Sequence, residues 1–169
     1  ILTLSDLFKF DKPIILSFVY YSCPKLCHLL TDGLLNAINN SKLSLGNDYI
    51  VLTASFDHRD TIHSLSAFKT KYSSMLSSEK DRSSWYFVLG HENSVKKLAD
   101  MTGFKYKFLK KEEEYAHGTA LIFITSKGVI SRYLYGIQFD ETDFKYSIVE
   151  AKNNHSVSTI ERLTLFCYN

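Results

Sequence analysis

Short apolar runs that alternate with helical patterns constrain the fold of this chain more than any other feature of its sequence. Residues 14–20 form an almost continuous apolar run, which predicts a buried strand. The same succession of strand and helix returns at residues 49–72 and again at 85–103. The first predicted helix begins near Pro24 and places six apolar residues on one face: Leu26, Leu29, Leu30, Leu34, Ala37 and Ile38.

The C-terminal part of the pattern is different. After a charged loop at residues 110–114, the runs 119–125 and 129–136 are joined by Ser126-Lys127-Gly128, which predicts an antiparallel hairpin. A last helix is predicted over residues 143–152. The order βαβαβα followed by ββα indicates an α/β architecture with a central mixed sheet flanked by helices. A thioredoxin-like fold has this order of elements.

Length and composition favour one folded globular domain with a single hydrophobic core, and they argue against several classes of function. The chain has 169 residues, of which 45% are apolar and 22% charged, and its net charge is +2 without any long run of like charge. This charge pattern gives no support to a nucleic-acid or membrane-surface partner. We expect a single domain at residues 1–155 with an apolar extension at 156–169. Because the chain opens at Ile1, we also expect a signal peptide or anchor to have preceded it.

Cys23 and Cys27 mark the junction between the first predicted strand and the first predicted helix. Ligands of open α/β sheets bind beyond the carboxyl ends of strands, and a helix N-terminus favours the thiolate. Three residues separate the cysteines, where redox enzymes of this fold usually have two. Side chains at i and i+4 are roughly 5–6 Å apart at Cβ, a wider gap than a disulfide prefers, so a shared metal ion spans it more easily.

His117 differs from the other five histidines because it directly precedes the strand that opens the predicted hairpin. In thioredoxin-like redox enzymes the loop at this place faces the cysteine turn and carries a cis-proline, but the two prolines of this chain are elsewhere. Two thiolates and one imidazole form a ligand set that suits Cu(I). Zinc also accepts two cysteines and a histidine, so the residue types alone leave both metals open.

Four segments then resemble the motifs of the Sco/SenC family of copper chaperones. They occur in the family's order within residues 13–136. The segments are 20–27 (YYSCPKLC), 55–61 (SFDHRDT), 85–90 (WYFVLG), and His117 with the strand at 119–125 and Gly128. Each motif is weak alone, but four in the same order are specific.

The resemblance implies a thioredoxin-like domain that binds copper, as Cu(I) or Cu(II), through Cys23, Cys27 and His117. It implies a location in the periplasm, anchored to the inner membrane, or in the mitochondrial intermembrane space. The implied partner is the copper-bearing subunit of cytochrome c oxidase, together with other copper chaperones or thioredoxin-like reductases. Asp57 or Asp60 would support the site, although Asp60 could equally cap a helix with its neighbour threonine.

Two departures from the family pattern bear on this interpretation. One residue separates Asp57 from Arg59, where many members have two, so the local turn is expected to differ. Cys167 lies in the C-terminal extension, where it could be an accessory ligand or partner contact, or belong to an apolar tail that docks on the domain.

Three functions compete at this stage. The first is a copper chaperone without enzymatic turnover, and the second is a thiol–disulfide oxidoreductase in which Cys23 attacks and Cys27 resolves. The third, a peroxidase of the peroxiredoxin kind, would need proline at position 16 and threonine at position 20. The chain has Leu16 and Tyr20 there, so we set the peroxidase aside.

Overall fold

The computed structural model describes residues 3–155, which form seven strands and six helices. The strands are β1 (Ile14–Val19), β2 (Ile50–Ser55), β3 (Trp85–Val88), β4 (Tyr106–Leu109), β5 (Glu114–His117), β6 (Ala120–Ile124) and β7 (Ile130–Tyr135). The helices are α1 (Leu4–Phe8), α2 (Leu26–Asn40), α3 (Ile62–Ser73), α4 (Glu79–Ser84), α5 (Glu92–Met101) and α6 (Glu141–Lys152).

Five strands form the central sheet in the order β3-β2-β1-β6-β7. Strands β1, β2 and β3 are parallel, whereas β6 runs antiparallel to β1 and β7 antiparallel to β6. Every residue of β1 and β2 is buried, which explains why both read as continuous apolar runs rather than as alternating ones. The predicted mixed sheet and its closing hairpin are confirmed, and the fold is thioredoxin-like.

The helices attach to this sheet through the faces that the sequence pattern indicated. Helix α2 buries four of the six residues of its predicted apolar stripe, Leu30, Leu34, Ala37 and Ile38, whereas Leu26 and Leu29 in its first turn are exposed. Helix α6 begins two residues earlier than predicted because the Asp140 carboxylate accepts from the N–H groups of Thr142 and Asp143. The capping residue therefore defines where this helix begins more closely than hydrophobic periodicity alone does.

The predicted order lacks three features of the structure, namely two short helices and a second sheet of two strands. Helices α1 and α4 are short and begin at capping boxes, formed by Thr3 with Asp6 and by Ser78 with Asp81. The predicted charged loop at 110–114 is instead the turn between β4 and β5 together with the first residue of β5. These two strands form the second sheet. None of the three presents a long apolar stripe, so periodicity could not reveal them.

The domain boundary proposed from the sequence stays a prediction. The extension at 156–169, with Cys167, lies outside the described residues. Within residues 3–155, none of the helices has both the length and the apolar character required to cross a bilayer.

Candidate metal centre

The cysteine turn begins where β1 leaves the sheet. The chain turns at Tyr20, whose carbonyl accepts from the Cys23 N–H at 3.1 Å, and α2 starts three residues after Cys23. The Cys23 Sγ accepts a hydrogen bond from the Cys27 N–H, at 3.4 Å, within the first turn of that helix. The Cys27 Sγ accepts in turn from the Tyr20 N–H at 3.3 Å. Both sulfur atoms are therefore fixed by backbone donors.

The two cysteines are reduced, buried and coupled to each other. Cys23 is 4% exposed and Cys27 0%, and neither forms a disulfide. A hydrogen bond from the Cys27 thiol, followed by backbone hydrogen bonds, lowers the pKa of Cys23 to about 4 although burial opposes the shift. The same shared proton, with burial, raises the pKa of Cys27. The pair is therefore best described as one thiolate and one thiol.

His117 lies at the end of β5, not in a loop as the sequence suggested. Its Nε2 is 3.8 Å from the Cys27 Sγ. Its Nδ1 is 2.8 Å from the carbonyl oxygen of Gly118, and because a carbonyl can only accept, Nδ1 carries the proton. With the proton on Nδ1, Nε2 is the ring nitrogen available to bind a metal ion, and it faces the Cys27 sulfur.

Three aromatic rings pack around the imidazole. The ring centroids of Tyr20, Phe56 and Phe104 lie 6.2, 5.0 and 6.0 Å from that of His117. These rings come from three different segments: the end of β1, the end of β2 and the segment after α5. The enclosure restricts the orientation of the imidazole and keeps it half-buried.

Of the three predicted ligands, the structure brings His117 beside Cys27 and Cys27 beside Cys23, but it does not bring all three into one ligand set. Residues 3–155 contain no group of three histidine, cysteine or acidic side chains arranged to hold a metal ion. The Cys27–His117 pair nevertheless has the right spacing. Metal–sulfur and metal–nitrogen bonds of about 2.3 and 2.0 Å at tetrahedral or trigonal angles separate the two donors by about 3.5–3.8 Å.

Asp60 fastens the cysteine turn to the neighbouring strand. Its carboxylate accepts from the backbone N–H groups of Tyr21 at 2.5 Å and Ser22 at 3.0 Å, and from the Ser55 hydroxyl at 2.6 Å. The cap of α3 is Thr61, whose hydroxyl accepts from the Ser64 N–H. The helix-capping role considered for Asp60 therefore falls to Thr61, and Asp60 instead supports the backbone that precedes Cys23.

Asp57 takes part in a different arrangement. Its carboxylate, fully buried, accepts from two nitrogens of the Arg59 side chain, with Nε shared between both carboxylate oxygens, and from the Tyr115 hydroxyl at 3.2 Å. Burial alone would raise the pKa of Asp57, but the hydrogen bonds and charge of Arg59 outweigh it, so the pKa lies below its usual value. Sequence reasoning identified Asp57 but missed Tyr115, because no motif connects the two positions.

A cleft of about 490 Å³ opens beside the cysteine turn. Its lining residues are Tyr20, Ser22, Pro24, Arg59 and the acidic residues Glu112, Glu113 and Glu114. The cleft thus connects the turn that carries the thiols with the turn between β4 and β5. Among the other histidines, His28 is held away from the thiols because its Nδ1 bonds the Tyr72 hydroxyl at 2.9 Å.

No protein-family model matches this chain, and no curated protein matches it by sequence. Solved structures do match. A protein of Aquifex aeolicus VF5, provisionally assigned to electron transfer, is 25% identical with a TM-score of 0.76, over 88% of this chain and 83% of that one.

Two further structures are named as Sco proteins. Arabidopsis thaliana ScoI with copper bound is 18% identical, with a TM-score of 0.68 over 89% of this chain and 88% of that one. BsSco, a member of the Sco family of cytochrome c oxidase assembly proteins with a disulfide switch, is 17% identical, with a TM-score of 0.69 over 90% and 85%. This chain therefore has the thioredoxin-like fold of the Sco/SenC proteins. The resemblance noted in the sequence is confirmed in the fold.

Proposed function

We propose that this protein is a copper chaperone of the Sco/SenC family, which binds one copper ion through Cys23, Cys27 and His117. The observation that carries the proposal is the distance of 3.8 Å between the His117 Nε2 and the Cys27 Sγ. These residues are 90 positions apart in sequence and lie at the end of β5 and the start of α2. The hydrogen bond from Nδ1 to Gly118 supports it further, because that bond leaves Nε2 free to coordinate.

Metal binding would complete the ligand set by moving one side chain. The Cys23 Sγ would exchange its hydrogen bonds with the Cys27 N–H and thiol for a bond to the metal, and the Cys27 thiol would lose its proton. Two thiolates and an imidazole favour copper over harder ions, although zinc accepts the same donors. We therefore include zinc as a competitor in the test below.

The relatives support the partner we propose, and the location we propose is the one that the family resemblance of the sequence implies. ScoI of Arabidopsis thaliana holds copper and BsSco belongs to a family that assembles cytochrome c oxidase. By analogy, this protein would deliver copper to the copper-bearing subunit of the oxidase by ligand exchange. It would act in the periplasm at the inner membrane, or in the mitochondrial intermembrane space.

The experiment is an anaerobic titration of the reduced protein with Cu(I) against a competing chelator. We expect one copper per chain, and zinc that fails to displace it. We expect His117→Ala to lower copper affinity by at least about 100-fold, more than loss of a group that only supports a ligand. The reduction potential of the Cys23–Cys27 pair should change little, because the histidine is not part of the disulfide.

The matched control is His28→Gln, which changes a histidine next to Cys27 whose ring nitrogen is already bound to Tyr72. It should bind copper as tightly as the wild-type protein. Equal copper affinity in His117→Ala and wild type would overturn the three-ligand site.

A thiol–disulfide oxidoreductase is the second candidate, favoured by the reduced pair at a helix N-terminus. The Cys23 thiolate would attack a partner disulfide, forming a mixed disulfide and releasing one partner thiolate. Cys27 would then lose its proton and displace the second partner thiolate, leaving a Cys23–Cys27 disulfide and a partner reduced by two electrons. Cys27→Ser should trap the mixed disulfide. Rapid exchange that persists in His117→Ala, without copper binding in the wild type, would favour this candidate.

A further inference from the structure

We propose that Arg59 is a positioning residue, which holds the β4–β5 sheet against the central sheet so that His117 faces the thiols. The inference rests on the proposed copper site, and deepens it by naming a residue that neither touches the metal nor any of its three ligands. The contacts of the guanidinium, the path from these contacts to His117, and the isolation of the small sheet each support it.

One side of the guanidinium is fixed by Asp57. The Arg59 Nε and Nη2 donate to the Asp57 Oδ2 at 3.0 and 2.8 Å, in a short loop directly after β2. The Arg59 backbone N–H donates to the Asp57 Oδ1 at 2.9 Å, so the loop folds back on itself. The single residue between Asp57 and Arg59, which departs from the family pattern, makes this compact turn.

The other side of the guanidinium lies against the β4–β5 sheet. Its central carbon is 4.6 Å from the ring centroid of Phe108 on β4 and 5.3 Å from that of Tyr115 on β5. These two residues are directly paired across the strands. The Tyr115 hydroxyl also donates to Asp57, so the carboxylate and the guanidinium hold the same ring. Arg59 therefore touches both strands of the small sheet at once.

The contact is transmitted to His117 along β5. Tyr115 and His117 are two residues apart on the strand, so their side chains lie on the same face. The Tyr115 ring packs against Tyr20 and Phe56, with centroids 5.4 and 5.3 Å away, and these two rings also contact the imidazole. A displacement of Tyr115 would therefore displace His117 with it.

The small sheet needs such a contact because backbone pairing does not hold it. Within residues 3–155, β4 and β5 pair only with each other and share no ladder with the five-stranded sheet. Apart from its chain connections to α5 and β6, its position is set by side chains, and Arg59 supplies a planar guanidinium that the ammonium of a lysine cannot replace.

The test compares Arg59→Gln and Arg59→Lys with Arg132→Gln. Arg132 makes an equivalent two-bonded ion pair with Glu150, on β7 and α6, and is 39% exposed at its side chain against 45% for Arg59. In the metal-free reduced protein we expect Arg59→Gln to speed amide hydrogen exchange of residues 114–117 at least tenfold. We expect it to lower Cu(I) affinity by about 10–100-fold, the effect of losing a group that orients a ligand.

Arg59→Lys should fall between Arg59→Gln and wild type, while Arg132→Gln should change neither quantity at the metal centre. The Cys23–Cys27 reduction potential should stay constant in all three. As a second variant, Phe108→Ala should reproduce the exchange effect, with Tyr135→Ala as its control, since Tyr135 belongs to a ring pair on β7.

Unchanged exchange at residues 114–117 in both Arg59→Gln and Phe108→Ala would overturn the inference. Changed exchange with unchanged copper affinity would also overturn it, because the sheet would then be held without any consequence for His117. Failure of the wild-type protein to bind copper would instead overturn the proposed function. The exchange measurement in the metal-free protein still tests whether Arg59 holds the sheet in that case.

Discussion

Two buried tyrosines differ in whether their hydroxyl groups are hydrogen-bonded. The Tyr21 hydroxyl donates to the carbonyl oxygens of Thr53 and Val88, at 2.9 and 3.0 Å, and so ties the cysteine turn to β2 and β3. The Tyr49 hydroxyl is buried among apolar rings and has no hydrogen-bond partner within residues 3–155. A buried hydroxyl costs free energy when it is unpaired and contributes when it is paired.

We predict that Tyr49→Phe raises the free energy of unfolding by about 1 kcal/mol, because it removes a desolvated group and leaves the ring in place. Tyr21→Phe should lower it by about 1–3 kcal/mol, since a buried pair of hydrogen bonds is lost. Urea unfolding of both variants measures the difference. Equal destabilisation by the two substitutions would mean that Tyr49 has a partner in solution.

At the scale of elements, helix α2 depends on one glycine in its interior. Glycine is a poor helix former, and alanine is normally preferred by about 1 kcal/mol. At Gly33, however, an added Cβ would lie 2.0 Å from the backbone carbonyl oxygen of Ile137. The helix therefore packs directly against the segment between β7 and α6, at a distance that only glycine allows.

We predict that Gly33→Ala lowers the free energy of unfolding by about 2 kcal/mol or more, despite the better helix propensity of alanine, because backbone must move to relieve the overlap. Asn36→Ala, on the exposed side of the same helix, is the control and should be neutral or slightly stabilising. Thermal or urea unfolding measures both. A stabilised Gly33→Ala would show that the contact with Ile137 relaxes at no cost.

The sequence predicts the elements whose pattern is set by burial, and misses those set by local contacts. Strands β1 and β2 are predicted correctly because all their residues are buried in the core. The β6–β7 hairpin is predicted correctly because its turn contains Gly128, which adopts a positive φ of 78°. Strands β4 and β5 are partly exposed and joined by a charged turn, so they resemble a loop. The three proposed ligands are named from the sequence and stay a prediction, whereas the strand that carries His117 could not be predicted.

At the scale of the whole molecule, stability should depend on pH through Asp57. Its pKa lies below the usual value in the folded protein, so the folded state binds its proton more weakly than the unfolded chain does. The stabilisation is therefore present above the ordinary aspartate pKa, near 3.8, and is lost as the pH falls through the lower folded value. Asp48, paired with Lys152 and more exposed, contributes with the same sign.

We predict that the free energy of unfolding of the metal-free protein decreases between about pH 5 and pH 2, and that Asp57→Asn makes this decrease smaller. The variant should be less stable at pH 7, because the Arg59 side chain loses its charged partner. Urea unfolding across this pH range measures both effects. Parallel pH profiles for variant and wild type would mean that Asp57 does not contribute.

The division of the donor atoms between two sheets has a mechanical consequence. The sulfur atoms belong to the start of α2 and the turn that Asp60 braces against the five-stranded sheet, whereas the imidazole belongs to a hairpin that shares no backbone pairing with that sheet. In the proposed copper site, the metal would therefore be released when this hairpin alone moves outward, with the central sheet unchanged. A receiving protein would then need only enough binding energy to displace this hairpin. The metal could therefore be bound tightly and still be transferred quickly.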